Sequence, residues 1–238
     1  MRTLILLHGY GVRSFFWEPI ITFFESKFPQ IYTPNLQMDN LTILLESTKK
    51  YVKEVKEKSE ADVYLVGHSL GGIVALLVAQ DLGPEIVKKV ALLAVPYGEQ
   101  HIPFKSFTRI LIKYQLIPKF LARRRFFSKN TPKRVQKKIF KQVVPESDSM
   151  LDEILSDKFF HTDLVTKPLD QESIFFMSEY DKVVPFDQSM KLAEIIGATV
   201  VKYSKEKKVA HDDFITGPTI AGEVSDKINT FFLQERWS

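Results

Sequence analysis

The sequence predicts an α/β fold: a mainly parallel central sheet with helices on both faces, carrying a helical lid insertion. Three observations predict it. Short apolar, β-branched runs alternate with helical patterns along most of the 238 residues, as repeated β-α-β units do. One junction, Asp62 to Gly72, passes from such a run through Gly67-His68-Ser69-Leu70-Gly71 straight into a helical pattern. A strongly basic stretch then interrupts the alternation between two core strands.

Taken in order, Thr3–Leu7 is a short apolar run and reads as the first strand. A loop and helix follow through Phe28, and a short strand lies near Ile31–Thr33. Helical spacing with alternating charge on one face covers about Leu41–Lys58. Val63–Val66 is a strand, Leu70–Asp81 a helix and Val87–Val95 a strand. After the insertion come a strand at Ser173–Met177, a helix at Asp187–Ile196, a strand at Thr199–Lys202 and a helix at Pro218–Leu233. The expected organisation is one core, 1–98 and 169–238, with 99–168 as the lid. In the lid, helical spacing covers Phe104–Ile117 and Val135–Val144, and Pro118, Pro132 and Pro145 punctuate it.

The chemistry-bearing residues cluster at strand ends, where ligands of such sheets bind. Ser69 sits at a sharp strand-to-helix turn. Gly67 and Gly71 supply the room that turn requires, and its hydroxyl is carried above the sheet edge. The plainer reading is a serine capping a helix. His8-Gly9-Tyr10-Gly11 ends the first strand. A loop of this kind offers a backbone donor from Tyr10, to join the donor from Leu70 that follows the serine, so that the two hold an oxyanion. Asp181 follows an apolar strand and precedes Val183-Val184-Pro185; Glu179 and Glu99 compete with it as the acid. Of the five histidines, His8, His68, His101, His161 and His211, only His211 lies downstream of Asp181. An imidazole there can take and return a proton near neutral pH, with the acid fixing its tautomer.

In combination, the His8–Gly11 loop, the Gly67–Gly72 turn, the strand-end Asp181 and the late His211 resemble the alpha/beta-hydrolase superfamily, in its small serine carboxylesterase branch. The resemblance covers most of the chain. It implies Ser69, Asp181 and His211 as a catalytic triad, Tyr10 and Leu70 as oxyanion donors, and an acyl-enzyme route for ester cleavage. The chain departs from the family pattern in two places: Ala210 stands where a glycine usually precedes the histidine, and two initial strands are missing. Rival chemistries with the same triad are thioester, lactone or C–C bond hydrolysis. The readings from another class are a binding protein that uses the basic lid and a membrane-associated scaffold.

Composition bounds the rest. With no cysteine, disulfides, a thiol nucleophile and cysteine-based metal sites are excluded. No metal motif is present and no cofactor is expected. The longest apolar runs, such as Ile73–Ala79, are too short to cross a bilayer. Only a few residues precede His8, which leaves no room for a leader, and the expected location is cytoplasmic. From His101 through Pro145 there are thirteen Lys or Arg and no Asp or Glu, leaving 20 basic against 29 acidic side chains elsewhere. Such one-signed charge attracts an acidic partner at long range. The candidates are an anionic membrane surface, an acyl carrier protein or a charged substrate. Arg123, Arg124 and Arg125 are the candidate contacts. A similar basic lid occurs in pimeloyl-acyl-carrier-protein methyl ester esterases. Nucleic acid has no recognition motif here.

Overall fold

Four of the six strands are buried at nearly every position, as strands covered on both faces must be. Their side chains alternate between two separate cores. Ile5, Leu7, Val63, Leu65, Val90, Leu92, Phe175 and Met177 enter one cluster. Leu4, Leu6, Tyr64, Val66, Ala91, Leu93, Ile174 and Phe176 enter the other. The computed structural model describes residues 2–98, 118–156, 165 and 168–234. The expected lid helix at 104–117, Glu99, His101 and His161 lie outside them.

Six strands form one sheet: β1 (Arg2–Leu7), β2 (Gln30–Tyr32), β3 (Asp62–His68), β4 (Val87–Leu93), β5 (Glu172–Ser178) and β6 (Thr199–Tyr203). Their spatial order is β2-β1-β3-β4-β5-β6, and every pairing is parallel. Helix α2 (Leu41–Ser59), α3 (Leu70–Leu82) and α7 (Phe186–Ile196) cover the first face. The second is covered by a 3-10 turn at Ser14–Trp17, the single turn α1 (Glu18–Ile21) and α9 (Pro218–Leu233). The predicted helix through Phe28 is thus broken into short turns. Phe16, Trp17, Phe24 and Phe28 are all buried there, so aromatic packing shapes the segment more than helix periodicity does. Helix α2 starts where the Asn40 side chain accepts the Ile43 N–H at 2.8 Å, a polar cap on the free first turn.

Between β4 and β5 lie α4 (Lys119–Phe126), α5 (Lys133–Gln142) and α6 (Asp148–Leu155). The predicted Val135–Val144 helix is displaced. It starts behind Pro132 and ends at Gln142, because Val143 turns to extended geometry and Val144 N–H bonds the Gly11 carbonyl at 2.9 Å. Phe127 and Ile139 are buried in the second core. A last single turn, α8 (Asp213–Thr216), precedes α9.

The β3–α3 junction is the tightest place in the fold. A Cβ on Gly67 would stand 2.3 Å from the Gly71 carbonyl oxygen, and one on Gly71 would stand 2.2 Å from that of Leu7. Gly71→Ala is therefore expected to lower stability by about 3 kcal/mol, the upper end for overpacking. In contrast, Gly222 lies inside α9, and its Cβ would make only ordinary contact with Phe23 at 3.8 Å. Gly222→Ala should stabilise by roughly 0.5–1 kcal/mol through helix propensity. Urea midpoints at unchanged m-value would register both shifts.

Candidate active site

Ser69 ends β3 and begins α3 with φ 54° and ψ −124°. An L-residue holds such a backbone only under constraint from its surroundings. The constraint is visible: Ser69 N–H bonds the Leu93 carbonyl at 2.9 Å, and its own carbonyl accepts Gly72 N–H at 2.9 Å. Leu70 opens α3, so its N–H has no carbonyl one turn back to bond. The His8–Gly11 loop lies against this turn. A Cβ on Gly9 would be 3.1 Å from Ser69 Cβ. Neither Leu70 N–H nor Tyr10 N–H has an acceptor among the described residues.

The loop itself is fixed by His8. Leu36 N–H donates to His8 Nε2 at 3.0 Å, so the ring proton sits on Nδ1 and donates to the Gly9 carbonyl at 2.9 Å. Burial, with a smaller contribution from Arg13, lowers the His8 pKa to about 4, which keeps it neutral. Beyond the loop, Gly11 N–H bonds Glu146 Oε1 at 3.1 Å, and Arg13 forms a two-pronged ion pair with the same carboxylate.

His211 is buried, and its Nδ1 donates to Asp181 Oδ2 at 2.9 Å. The other carboxylate oxygen accepts Val183 N–H at 2.7 Å and Val184 N–H at 3.1 Å. The turn before Pro185 thus aims Asp181. Burial opposes a charge on His211, but the charge and hydrogen bond of Asp181 and the charge of Asp212 outweigh it and raise the pKa; Arg125 pulls the other way. Nε2 of His211 makes no hydrogen bond among the described residues. Glu179, the rival acid, is exposed and bonds Lys202 at 2.6 Å and Lys205 N–H at 3.0 Å. Ala210 replaces a glycine without strain, because its φ is not positive.

The structure adds residues to the site that the sequence did not single out. His68 Nε2 donates to the His211 carbonyl at 3.0 Å, which ties the turn of the serine to the loop of the histidine. Its Nδ1 is buried without a partner among the described residues, and burial together with the charge of His211 keeps the ring neutral. Asp213 accepts four hydrogen bonds: Ala210 N–H at 2.9 Å, Ser128 N–H at 3.2 Å, and the hydroxyls of Ser128 and Thr131 at 2.5 and 2.6 Å. The insertion between β4 and β5 is thereby pinned to the histidine loop. Phe126 packs edge-on against His211, with ring centres 5.8 Å apart, and its carbonyl accepts Asp212 N–H at 2.9 Å. Of the three lid arginines, Arg123 turns inward over the Phe140 ring at 5.5 Å, while Arg124 and Arg125 are exposed.

Among the described residues, one trio brings metal-ligating atoms within 4.8 Å of one another: His68, His211 and Asp212. Both rings already have a nitrogen committed to holding the loop, which accounts for the cluster. Asp212 is the uncomfortable member. Burial, with neighbouring Asp213 and Asp181, raises its pKa to about 7 against the pull of His211. A raised carboxyl means the folded state binds the proton more tightly, so this group's contribution to stability falls as pH rises from about 4 to 7. Asp212→Asn should therefore be more stable than wild type at pH 8, with the gap closing by pH 4. Paired urea titrations at the two pH values would show it.

Comparisons with known proteins bear on the fold and the family. No curated protein sequence is significantly similar to the chain. Solved structures match over nearly its whole length. A lipase-esterase related protein from Clostridium acetobutylicum has a TM-score of 0.77 at 14% identity, covering 97% of this chain and 94% of that one. A thermophilic esterase from Thermogutta terrifontis gives 0.74 at 15%, covering 98% and 89%. MenH from S. aureus gives 0.67 at 18%, covering 98% and 92%. At such identities these matches speak for the fold alone. The model of the alpha/beta hydrolase family matches residues 4–211, from the first strand through His211. The chain belongs to the alpha/beta hydrolase family.

Proposed function

We propose that the protein is a serine hydrolase of carboxylic esters working through an acyl-enzyme. The observation that carries the reading is the pair His211–Asp181, bonded at 2.9 Å and joined through His68 to the turn that holds Ser69 in its strained backbone. Ser69 Oγ attacks the ester carbonyl while His211 Nε2 takes its proton. Asp181 holds the Nδ1–H tautomer and stabilises the imidazolium that forms. The free N–H groups of Leu70 and Tyr10 receive the negative charge on the carbonyl oxygen, each worth about 3 kcal/mol of barrier. His211 returns the proton to the leaving alcohol, and water repeats the cycle on the acyl-enzyme.

Ser69→Ala should lower kcat on p-nitrophenyl esters by at least about 10⁴-fold, with the far-ultraviolet circular dichroism unchanged. An ester series from acetate to long acyl chains, run beside matching thioesters and lactones, tests the bond assignment. Turnover of thioesters alone would overturn the ester reading, and turnover undiminished by the substitution would overturn the triad.

His211 must be neutral to accept the serine proton. Its pKa lies above the ordinary 6.5, so kcat/KM should fall with acidity already above that pH. Arg125 opposes protonation of the ring, so Arg125→Gln should move the acidic limb of the pH profile to higher pH.

A further inference from the structure

Helices α4 and α5 form one unit, joined by the Arg123–Phe140 stack and by the Phe127 and Phe140 rings at 5.8 Å. Its apolar side is used up, since Phe127 and Ile139 are buried in the core. Its outward side is cationic. Residues 118–145 hold ten Lys or Arg and no Asp or Glu. Along α5, Lys133, Arg134, Lys137, Lys138 and Lys141 recur at the spacing of one helix face, and all are exposed. Among the described residues only Lys138 of these has an ion-pair partner, Glu18.

The same unit carries apolar groups that solvation does not explain. Phe120 and Leu121 are 61% and 50% exposed, the two most exposed large hydrophobics among the described residues. Each stands one turn ahead of an exposed arginine, Arg124 or Arg125. Val143, 41% exposed, follows at the end of α5. Flexible cations of one sign around a few protruding apolar side chains suit a fluid anionic surface. Headgroups neutralise the cations there, and the acyl region accepts the apolar tips. An acidic protein would satisfy the charges but would need a matching pocket for Phe120 and Leu121. No helix among the described residues is long and apolar enough to cross a membrane, so contact of this kind is peripheral.

We propose that the α4–α5 face docks on an anionic lipid bilayer. Helix α4 then links the bilayer to the site. From Phe120 to Phe126 it rises about 9 Å, and Phe126 touches the His211 ring. Docking thus brings the ester site close to the bilayer surface, a consequence that rests on the esterase reading, whereas docking itself does not.

The test is sedimentation of the full chain with vesicles of phosphatidylcholine alone and with about 30 mol% phosphatidylserine, at about 0.1 M salt. Wild type should bind the anionic vesicles at least about tenfold more tightly than the neutral ones, and salt should weaken that binding. The combined variant K133Q/R134Q/K137Q/K141Q should lose at least about tenfold while hydrolysing a short soluble ester as before. Phe120→Ser with Leu121→Ser should lose several-fold. All six side chains are exposed, and circular dichroism checks that the variants stay folded. Ser69→Ala should bind like wild type, which separates docking from chemistry. Equal binding to both vesicle types, or undiminished binding by either variant, would overturn the proposal. So would capture of acyl carrier protein with no binding to anionic vesicles, which would reassign the face to a protein partner.

Discussion

The rest of the structure hangs on the contact between the first turn of α3 and the end of β1. Gly71 lies so close to the Leu7 and His8 carbonyls that a Cβ would come within 2.4 Å of both. Holding Ser69 at φ 54° costs on the order of 1–3 kcal/mol, so the turn needs support from outside itself. Leu93 of β4 supplies it by accepting the Ser69 N–H, and β1 supplies it by filling the space over Gly71. The central order β1-β3-β4 is thus the arrangement that keeps the serine strained and lays the His8–Gly11 loop beside it. Sheet order, turn and loop are one constraint seen from three sides.

The histidine loop is held by a different principle, polar saturation. Asp212 and Asp213 are adjacent and both buried, yet they behave differently. Asp213 has four donors around it, which replace the water it gave up on burial. Asp212 stands 3.7 Å from His68 Nε2 without a hydrogen bond to its side chain among the described residues, and its carboxyl shifts toward the neutral form instead. Two of the four donors to Asp213 are hydroxyls of the insertion, and its far end bonds the His8–Gly11 loop through Val144 and Glu146. The described part of the lid is therefore a bridge between the loops of His211 and Tyr10. Its order and theirs are coupled, because unfastening it would take three of the four donors from buried Asp213 at one end and strip Arg13 and Gly11 N–H of their acceptor Glu146 at the other.

The elements with a strong local signature were legible in the sequence. Strands read from apolar runs ended within one or two residues of those found, because in the four central ones burial on both faces leaves little choice of residue type. The turn at Ser69 was legible because the glycines beside it admit no side chain: a Cβ at Gly67 or Gly71 would come within 2.3 Å of a backbone oxygen. Asp181 needed chain order as well, and the structure separates it from Glu179 by what each carboxylate bonds. The roles of His68, Asp213 and Glu146 were not legible. Their partners lie 143, 82 and 133 residues away, and pairing at that separation leaves no local pattern. Only Glu146 carried a hint, as the first acid after the basic run.

Charge distribution matters here more than total charge. A formal +4 would describe a mildly basic protein, but the basic groups concentrate in the lid and the body is acidic. His211 sits at the boundary. Asp181 and Asp212 in the body favour its protonated form, and Arg125 in the lid resists it. The insertion thus acts on the histidine through the charge of Arg125 as well as through the ring of Phe126. Replacing Arg125 by a neutral residue would leave the hydrogen bonds that bridge the two loops in place, since none of them uses its side chain. It would remove one opposing charge, and the histidine would then hold its proton to higher pH. The inner edge of the basic segment thus bears on the proton of His211, whatever surface its outer face meets.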